Sequence, residues 1–349
     1  MDFRTFIAVL EKRGLIQTVE EPVDWKHQIG EISRTVPSAL WFKNVKDYPG
    51  QSVFTGALGS SEAIELLFEI EGQKNRRRRE LVKAIRQRAR IPLAPVVVED
   101  GPVTENICMG KHVNLFRFAV PWWSRVDGGR FIGTWHVNIT KDPQTGSRNV
   151  GVYRMQIVDK RSATVSVSPK GHLAIHMREA EKRGKALKMA VAIGVSEFLV
   201  MAGGASFALG VDEYSMAGAW ARKPLEIIRC RGVDLEVPAQ SEIVLEGELK
   251  PGIRVKDGPY LDYAGIANSN PAAFLFEVNS VMYRNNPIFR GTAVGRPGAE
   301  DHHMLSLLAG AGLVDFHGSK MRRLLQNFFL KNRMYTLLQM SGRIGKLIK

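Results

Sequence analysis

The chain has 349 residues, 44% hydrophobic and 24% charged, the balance of a globular protein with room for two or three domains. Its formal charge is +14, from 49 basic and 35 acidic side chains, and its two cysteines, Cys108 and Cys230, lack partners at metal spacing. These features argue against a disulfide framework, a zinc site or a membrane span, since no apolar run approaches the ~20 residues a bilayer requires. Both thiols are expected to be buried or half-buried.

The opening "MDFRTFIAVLEKRG" predicts an amphipathic helix, with Phe3, Phe6, Ile7 and Leu10 on one face, Asp2 as cap and Gly14 as stop. Acidic residues here, and no small-residue cleavage signal, point to a cytoplasmic rather than a secreted chain. An apolar "SALWFKNV", a turn at "DYPGQ", a strand "SVFTGAL" and two helical stretches follow, giving an N-terminal α/β region over 1–95. The second helical stretch, "QKNRRRRELVKAIRQRAR" (73–90), is strongly basic. A basic helix can bind nucleic acid, yet no aromatics interleave with the arginines and no RNA-recognition or zinc-finger signature accompanies it. A solvated face or a surface for another subunit accounts for it better, leaving a basic nucleic-acid-binding protein as the outlying alternative.

"IPLAPVVVEDGP" (91–102) reads as a boundary, after which strands dominate. "RFIGTWHVNITKD" alternates, "PQTGSRN" turns, and "RNVGVYRMQIVDK" returns as its hairpin partner; "DKRS" turns again before "ATVSVSP". The helix "HLAIHMREAEKRGK", the strand "MAVAIGV", a Gly-rich "AGGASFALGVDEY" and several further strands suggest a barrel or sandwich over 96–305. Residues 306–349 read as a short basic helical segment, free of acids beyond Asp315, with Leu324, Leu325, Phe328 and Phe329 as an apolar stripe. The expected class is α+β.

Generic catalytic motifs are missing: there is no P-loop, no dinucleotide fingerprint and no nucleophile elbow. His302 and His303 are adjacent on an expected helix, ~100° apart, and so suit capping or packing better than one shared ion. Polar residues at element borders carry more promise. Asn149 follows a hairpin turn, while His172 and Glu213 each open a helix after a Gly-containing loop. An amide, an imidazole and a carboxylate can hold a divalent cation, and helix starts favour a phosphate. In "KDGPYLDYAG", Asp257 and Asp262 flank a Gly-Pro turn, as paired acids that divide proton duties or as plain turn residues. Asn149 and Arg154 are an odd five residues apart, which would put them on opposite faces of a regular strand. For both to meet one elongated ligand, Asn149 must sit at an irregular strand end or a bulge must intervene.

The run of "MDFRTFIAVLEKRGLIQTVEEPVDW", "FKNVKDYPGQ", "CMGKHVNLFRFAVPWWSRVDGGRFIGTWHVNITKDP", "RNVGVYRMQIVDK", "KDGPYLDYAGI", "MYRNNPIF" and "VGRPGAEDHHML" resembles the UbiD decarboxylases over roughly residues 1–310. The resemblance implies an FMN-binding split β-barrel in the middle of the chain and prenylated FMN as cofactor. It places metal ligands at Asn149, His172 and Glu213, for manganese with potassium nearby. It further implies cofactor contacts along Asn149, Val150, Gly151, Val152, Tyr153 and Arg154 and at Lys170, Gly171 and His172. Arg154, Asp257 and Asp262 fall at the catalytic positions, with Asp262 at the proton donor.

The activity so implied is a reversible, non-oxidative decarboxylation of an aromatic or α,β-unsaturated carboxylic acid, a hydroxybenzoate-type acid among them. A flavin prenyltransferase would supply the cofactor, and a homo- or hetero-oligomer is expected. Two departures stand out. Asp257 occupies a position that is usually Glu, and the usual "GPFGE" reads "GPYLD", one methylene shorter at the acid. Relatives also generally continue for another hundred residues or more, so a non-catalytic or half-site subunit of a multi-component carboxylase or decarboxylase of this kind is the alternative reading.

Overall fold

The structure, a computed structural model, describes residues 1–36, 38–70, 77–296 and 298–314. The stripe of Leu324, Leu325, Phe328 and Phe329 lies outside the described residues.

Helix Phe3–Lys12 starts where Asp2 accepts the Thr5 N–H at 3.0 Å, and it buries Phe3, Phe6, Ile7 and Leu10, the stripe read from the sequence. Gly14, at φ +67°, turns the chain into strand Ile16–Val19. That strand lies parallel to Ala39–Phe42, which pairs antiparallel with Ser52–Thr55. The far edge of this four-stranded sheet is Ile288–Arg290, returned from the central sheet to the N-terminal layer.

Arg290 locks the return. Its buried guanidinium donates to Glu197 at 2.9 Å and Glu300 at 3.0 Å. Glu197 also takes the Trp135 indole N–H at 2.7 Å, and Glu300 takes the N–H groups of Gly56 and Leu58. One cation thus joins the N-terminal sheet, helix Glu197–Gly203 and helix Glu300–Gly310.

The basic helix Arg77–Arg88 spends part of its charge internally. Arg78 donates to the Ser306 carbonyl and hydroxyl, and Arg86 to the carbonyls of Gly310 and Ala311, at the C-terminal end of helix Glu300–Gly310. Arg88 donates to the carbonyls of Trp220 and Phe68, both at 2.7 Å. Cations at a helix C-terminus meet carbonyls that lack helical partners, which is a packing use of arginine.

The central sheet has nine strands and curls into a half-barrel. From one edge the order is Phe131–Gly133, Met155–Asp159, Ser162–Val165, Ala267–Tyr283, Ile243–Leu261, Leu187–Ile193, His136–Lys141 and, at the other edge, Arg148–Gly151. Asn106–Met109 pairs beside Ala267–Tyr283. The expected hairpins form, Thr140 opposite Asn149 in one and Ser162 opposite Asp159 in the other. Met155, Val165, Met189, Val191, Leu245 and Phe276 fill the concave side, closed by Leu173 and Met177 of helix His172–Lys182. On the convex side, Val137, Ile139 and Val150 pack with helices Glu197–Gly203 and Glu213–Ala221. Among the described residues no helix is long and apolar enough to cross a membrane.

The two edges of the curled sheet come close together, and one short segment proves it. Arg148–Gly151 is one edge, and Met155–Asp159 is next to the other, yet only Val152, Tyr153 and Arg154 separate them. Four Cα steps span at most about 15 Å. These three residues therefore bridge the open seam of the half-barrel.

Candidate functional site

The seam resolves the odd spacing of Asn149 and Arg154. They belong to different strand systems, so strand alternation does not relate their faces, and the irregularity expected between them is the break at Val152–Arg154.

At one end of the bridge, Glu213 opens helix Glu213–Ala221, whose cap Asp212 accepts from the Ser215 N–H and hydroxyl. Glu213 is buried, and its Oε2 accepts the Val150 N–H at 2.9 Å, covering an outward donor of the edge strand. Burial pushes this carboxyl up to about 7, against the lowering effect of that hydrogen bond. Asn149 is buried with its Nδ2 unpartnered. Val152 donates to the Gly203 carbonyl at 3.3 Å and leans on the convex cluster.

Tyr153 ties these elements together. Its ring lies so close over Gly151 that a Cβ there would meet it at 2.5 Å. Its N–H donates to Asn138 Oδ1 at 3.2 Å, and its hydroxyl accepts the Leu173 N–H at 3.5 Å. The hydroxyl is also beside Asn149, within range of the Glu213 charge, and burial raises its pKa. His172 is the half-buried first residue of helix His172–Lys182, and burial lowers the proton affinity of its imidazole. Gly171 precedes it and offers no side-chain cap, and Lys170 stands exposed in the turn before. Asn149, Glu213 and the start of helix His172–Lys182, from three elements, thus border one tyrosine. Among the described residues no three His, Cys, Asp or Glu side chains form a metal cluster.

Arg154, at the other end of the bridge, is held on both sides. Its Nε and Nη2 donate to Asp257 Oδ1 at 2.7 and 2.5 Å, and Thr164 donates its hydroxyl to Asp257 Oδ2 at 2.6 Å. Asp257 is fully buried, so its charge is balanced by a guanidinium and a hydroxyl rather than by water. The Nη1 side of Arg154 donates to Asn268 Oδ1. Asn268 in turn donates from Nδ2 to Asp262 at 2.6 Å. Asp262 organises the turn, accepting the N–H groups of Ala264 at 2.8 Å and Ile266 at 3.1 Å. Both readings of the acids meet here: Asp257 is paired with the cation, and Asp262 is a turn residue reached through an amide.

Other groups support this end. Asp127 accepts the Leu261 N–H at 2.8 Å while its buried Oδ2 has no hydrogen-bond partner, and burial pushes it up to about 6. His302 bonds the Tyr263 carbonyl at 2.7 Å, steadying the Asp262 turn, which is the packing role expected of the histidine pair. Thr164, Asn268 and Asp127 were not singled out in the sequence. None of the three left a local signal in the sequence; in the fold Asn268 pairs with Tyr260 across the turn that Asp262 begins.

Comparisons with known proteins agree with this architecture. The family model of the 3-octaprenyl-4-hydroxybenzoate carboxy-lyase Rift-related domain matches residues 95–297, and that of the N-terminal domain of the same family matches 7–87. The pyrrole-2-carboxylic acid decarboxylase of Pseudomonas aeruginosa is 31% identical over 333 residues, covering 90% of this chain and 66% of that protein. The UbiD-class enzyme HmfF from Pelotomaculum thermopropionicum, solved with FMN, superposes with a TM-score of 0.81 at 29% identity, over 89% of this chain and 68% of that one. The vanillic acid decarboxylase of Sedimentibacter hydroxybenzoicus, in its closed form, gives 0.82 at 27% identity, over 88% and 67%. The chain spans just under two thirds of the length of the curated relatives it matches, 66% for the Pseudomonas protein. It belongs to the UbiD family.

Proposed function

We propose that this chain is a prenylated-FMN-dependent, non-oxidative carboxy-lyase acting reversibly on an aromatic or α,β-unsaturated carboxylic acid. The observation that carries the reading is Arg154: a guanidinium fixed by buried Asp257 at the barrel seam, five residues from the buried Asn149 amide.

The residues along the seam fit the cofactor. The buried Asn149 side chain with its unpartnered Nδ2, the buried Glu213 carboxyl and the start of helix His172–Lys182 gather at one end, as a phosphate and its counter-ion need. Asn149, His172 and Glu213 would hold a divalent cation such as manganese, with potassium nearby. A cation would keep Glu213 ionised in spite of its burial, and the lowered proton affinity of His172 suits a neutral ligand nitrogen. Bound there, the prenylated flavin would supply the electron sink that no side chain provides when CO2 leaves an sp2 carbon. A flavin prenyltransferase would be its source.

Arg154 would take the substrate carboxylate on the fork that Asp257 leaves free, and the Asp257–Thr164 pairing keeps that fork from turning away. Asp262 would deliver the proton to the carbon that loses CO2. It would first have to leave the donors it now accepts from. Buried Tyr260, whose ring centroid is 5.2 Å from the Arg154 guanidinium carbon, helps keep water from the pair.

The test is reconstitution. The chain, purified from cells making the prenylated flavin, should carry its absorption and a divalent metal, and should release CO2 from members of an aromatic-acid panel. Asp262→Asn should retain the flavin and lose turnover. Wild-type turnover in that variant would remove Asp262 from the role. A second reading, a subunit of a multi-component decarboxylase, is favoured by the likeness to the multi-component vanillic acid decarboxylase. Retention of flavin and metal without turnover, restored by a partner, would select it.

A further inference from the structure

A guanidinium offers two forked edges, Nε with one Nη and Nη1 with Nη2. Asp257 occupies the first edge of Arg154. The second faces Asn268, whose Oδ1 accepts from Nη1 and whose main-chain oxygen is 3.5 Å from Nη2. Any carboxylate that Arg154 binds in a forked geometry must therefore take the place of the Asn268 amide. The same amide donates from Nδ2 to Asp262 Oδ2 at 2.6 Å. Its orientation is chemically set: the carbonyl faces a group that only donates and the NH2 faces a carboxylate, so the flipped amide would oppose like groups at both ends.

We propose that Asn268 is a positioning residue that latches Asp262 to Arg154 and yields the Nη1–Nη2 edge to the substrate carboxylate. Its departure releases one oxygen of Asp262, so that occupancy of Arg154 and freedom of the proton donor are coupled. Asn268 suits the part because its main chain is anchored in the hairpin opposite Tyr260, leaving the side chain to move alone. The inference rests on the decarboxylase reading above.

The coupling has a signature that a merely structural asparagine lacks: two substitutions shift carboxylate binding in opposite directions. On the full chain, benzoate binding measured by calorimetry should tighten in Asn268→Ala by about two- to tenfold, since one competing hydrogen bond to Arg154 is gone. In Asn268→Asp it should weaken by about tenfold or more, because a carboxylate holds the fork more strongly and repels the ligand. On the flavin-loaded chain, Asn268→Ala should lower KM by more than it changes kcat, since the substrate loses a competitor for Arg154 while the latch on Asp262 is already open in the bound wild type. If Asn268→Ala melts markedly lower than wild type, Asn268→Ser gives the same test, as its shorter side chain also leaves the fork. Weaker benzoate binding in both variants, or unchanged constants in both, would overturn the proposal. Wild-type chain that binds no benzoate, with Arg154→Met indistinguishable from it, would instead bring down the decarboxylase reading and this inference with it.

Discussion

Arg154 places two donors on a single oxygen of Asp257, at 2.5 and 2.7 Å, and Thr164 takes the other oxygen at 2.6 Å. Removing one member of a buried, hydrogen-bonded ion pair strands the other, at a cost of about 3–5 kcal/mol. Asp257→Ala should therefore melt well below wild type. Asp257→Asn keeps an acceptor and should lose less. Both should lose at least 100-fold in decarboxylation, because a guanidinium held by a neutral amide is free to turn. Thermal melting and CO2 release on the same preparations separate the two effects, and an Asp257→Asn chain with wild-type turnover would contradict the assignment.

Gly151 lies under the Tyr153 ring, and a Cβ at this position would come 2.5 and 2.6 Å from two ring carbons. Overpacking a filled site costs about 1–3 kcal/mol, so Gly151→Ala should survive as a folded chain with Tyr153 displaced. Tyr153 touches the surroundings of Asn149, Glu213 and helix His172–Lys182, so its displacement should disturb all three at once. The expected result is a fold close to wild type by circular dichroism and a several-fold drop in co-purified flavin. Undiminished flavin would detach Tyr153 from the cofactor end.

What the sequence revealed and what it hid divide along physical lines. Helix Phe3–Lys12, the hairpin of His136–Lys141 with Arg148–Gly151, and the helix starts at His172 and Glu213 were all legible, because period, turn residues and caps are local signals. The odd spacing of Asn149 and Arg154 announced an irregularity. That it is a crossing between opposite edges of one sheet was not legible, since strand order depends on pairings such as Ser162–Glu277 that are far apart in the chain. Asn268 and Thr164 lie 114 and 93 residues from Arg154 and Asp257 respectively, and a lone Asn or Thr on a strand has no period to betray it. The role of Glu300 was hidden in the same way: nothing local marks it, yet it answers Arg290 and two main-chain N–H groups of the N-terminal layer.

Arg290 is buried between Glu197 and Glu300, themselves buried, so two carboxylates depend on one cation. Arg290→Met removes that cation while roughly keeping its volume, and should cost about 3–5 kcal/mol through the stranded acids. The double variant Glu197→Gln with Arg290→Met should recover part of the loss, whereas independent effects would add. Denaturant titrations of wild type, Glu197→Gln, Arg290→Met and the double variant measure this coupling directly, and strict additivity would refute the three-way clasp.

Asp127 supplies a pH dependence whose sign is fixed by burial. Its carboxyl is pushed from 3.8 up to about 6, chiefly by desolvation, against the lowering effects of the Leu261 N–H and the Arg34 charge. In the unfolded chain the same group ionises near its ordinary value, so between about pH 4 and 6 the folded chain holds the proton that the unfolded chain has lost. The stabilisation is fully present below that window and is lost as pH rises through about 6, at most about 3 kcal/mol from this one group. Asp301, also buried and pushed up to about 6, acts with the same sign. The melting temperature should therefore fall between pH 4 and 7, apart from slopes due to other groups. Asp127→Asn, which keeps an acceptor for Leu261, should flatten part of the fall and raise stability at pH 7 relative to wild type. A parallel pH profile in the variant would mean that Asp127 ionises as freely in the folded chain as in the unfolded one, and that its unpartnered Oδ2 is solvated after all.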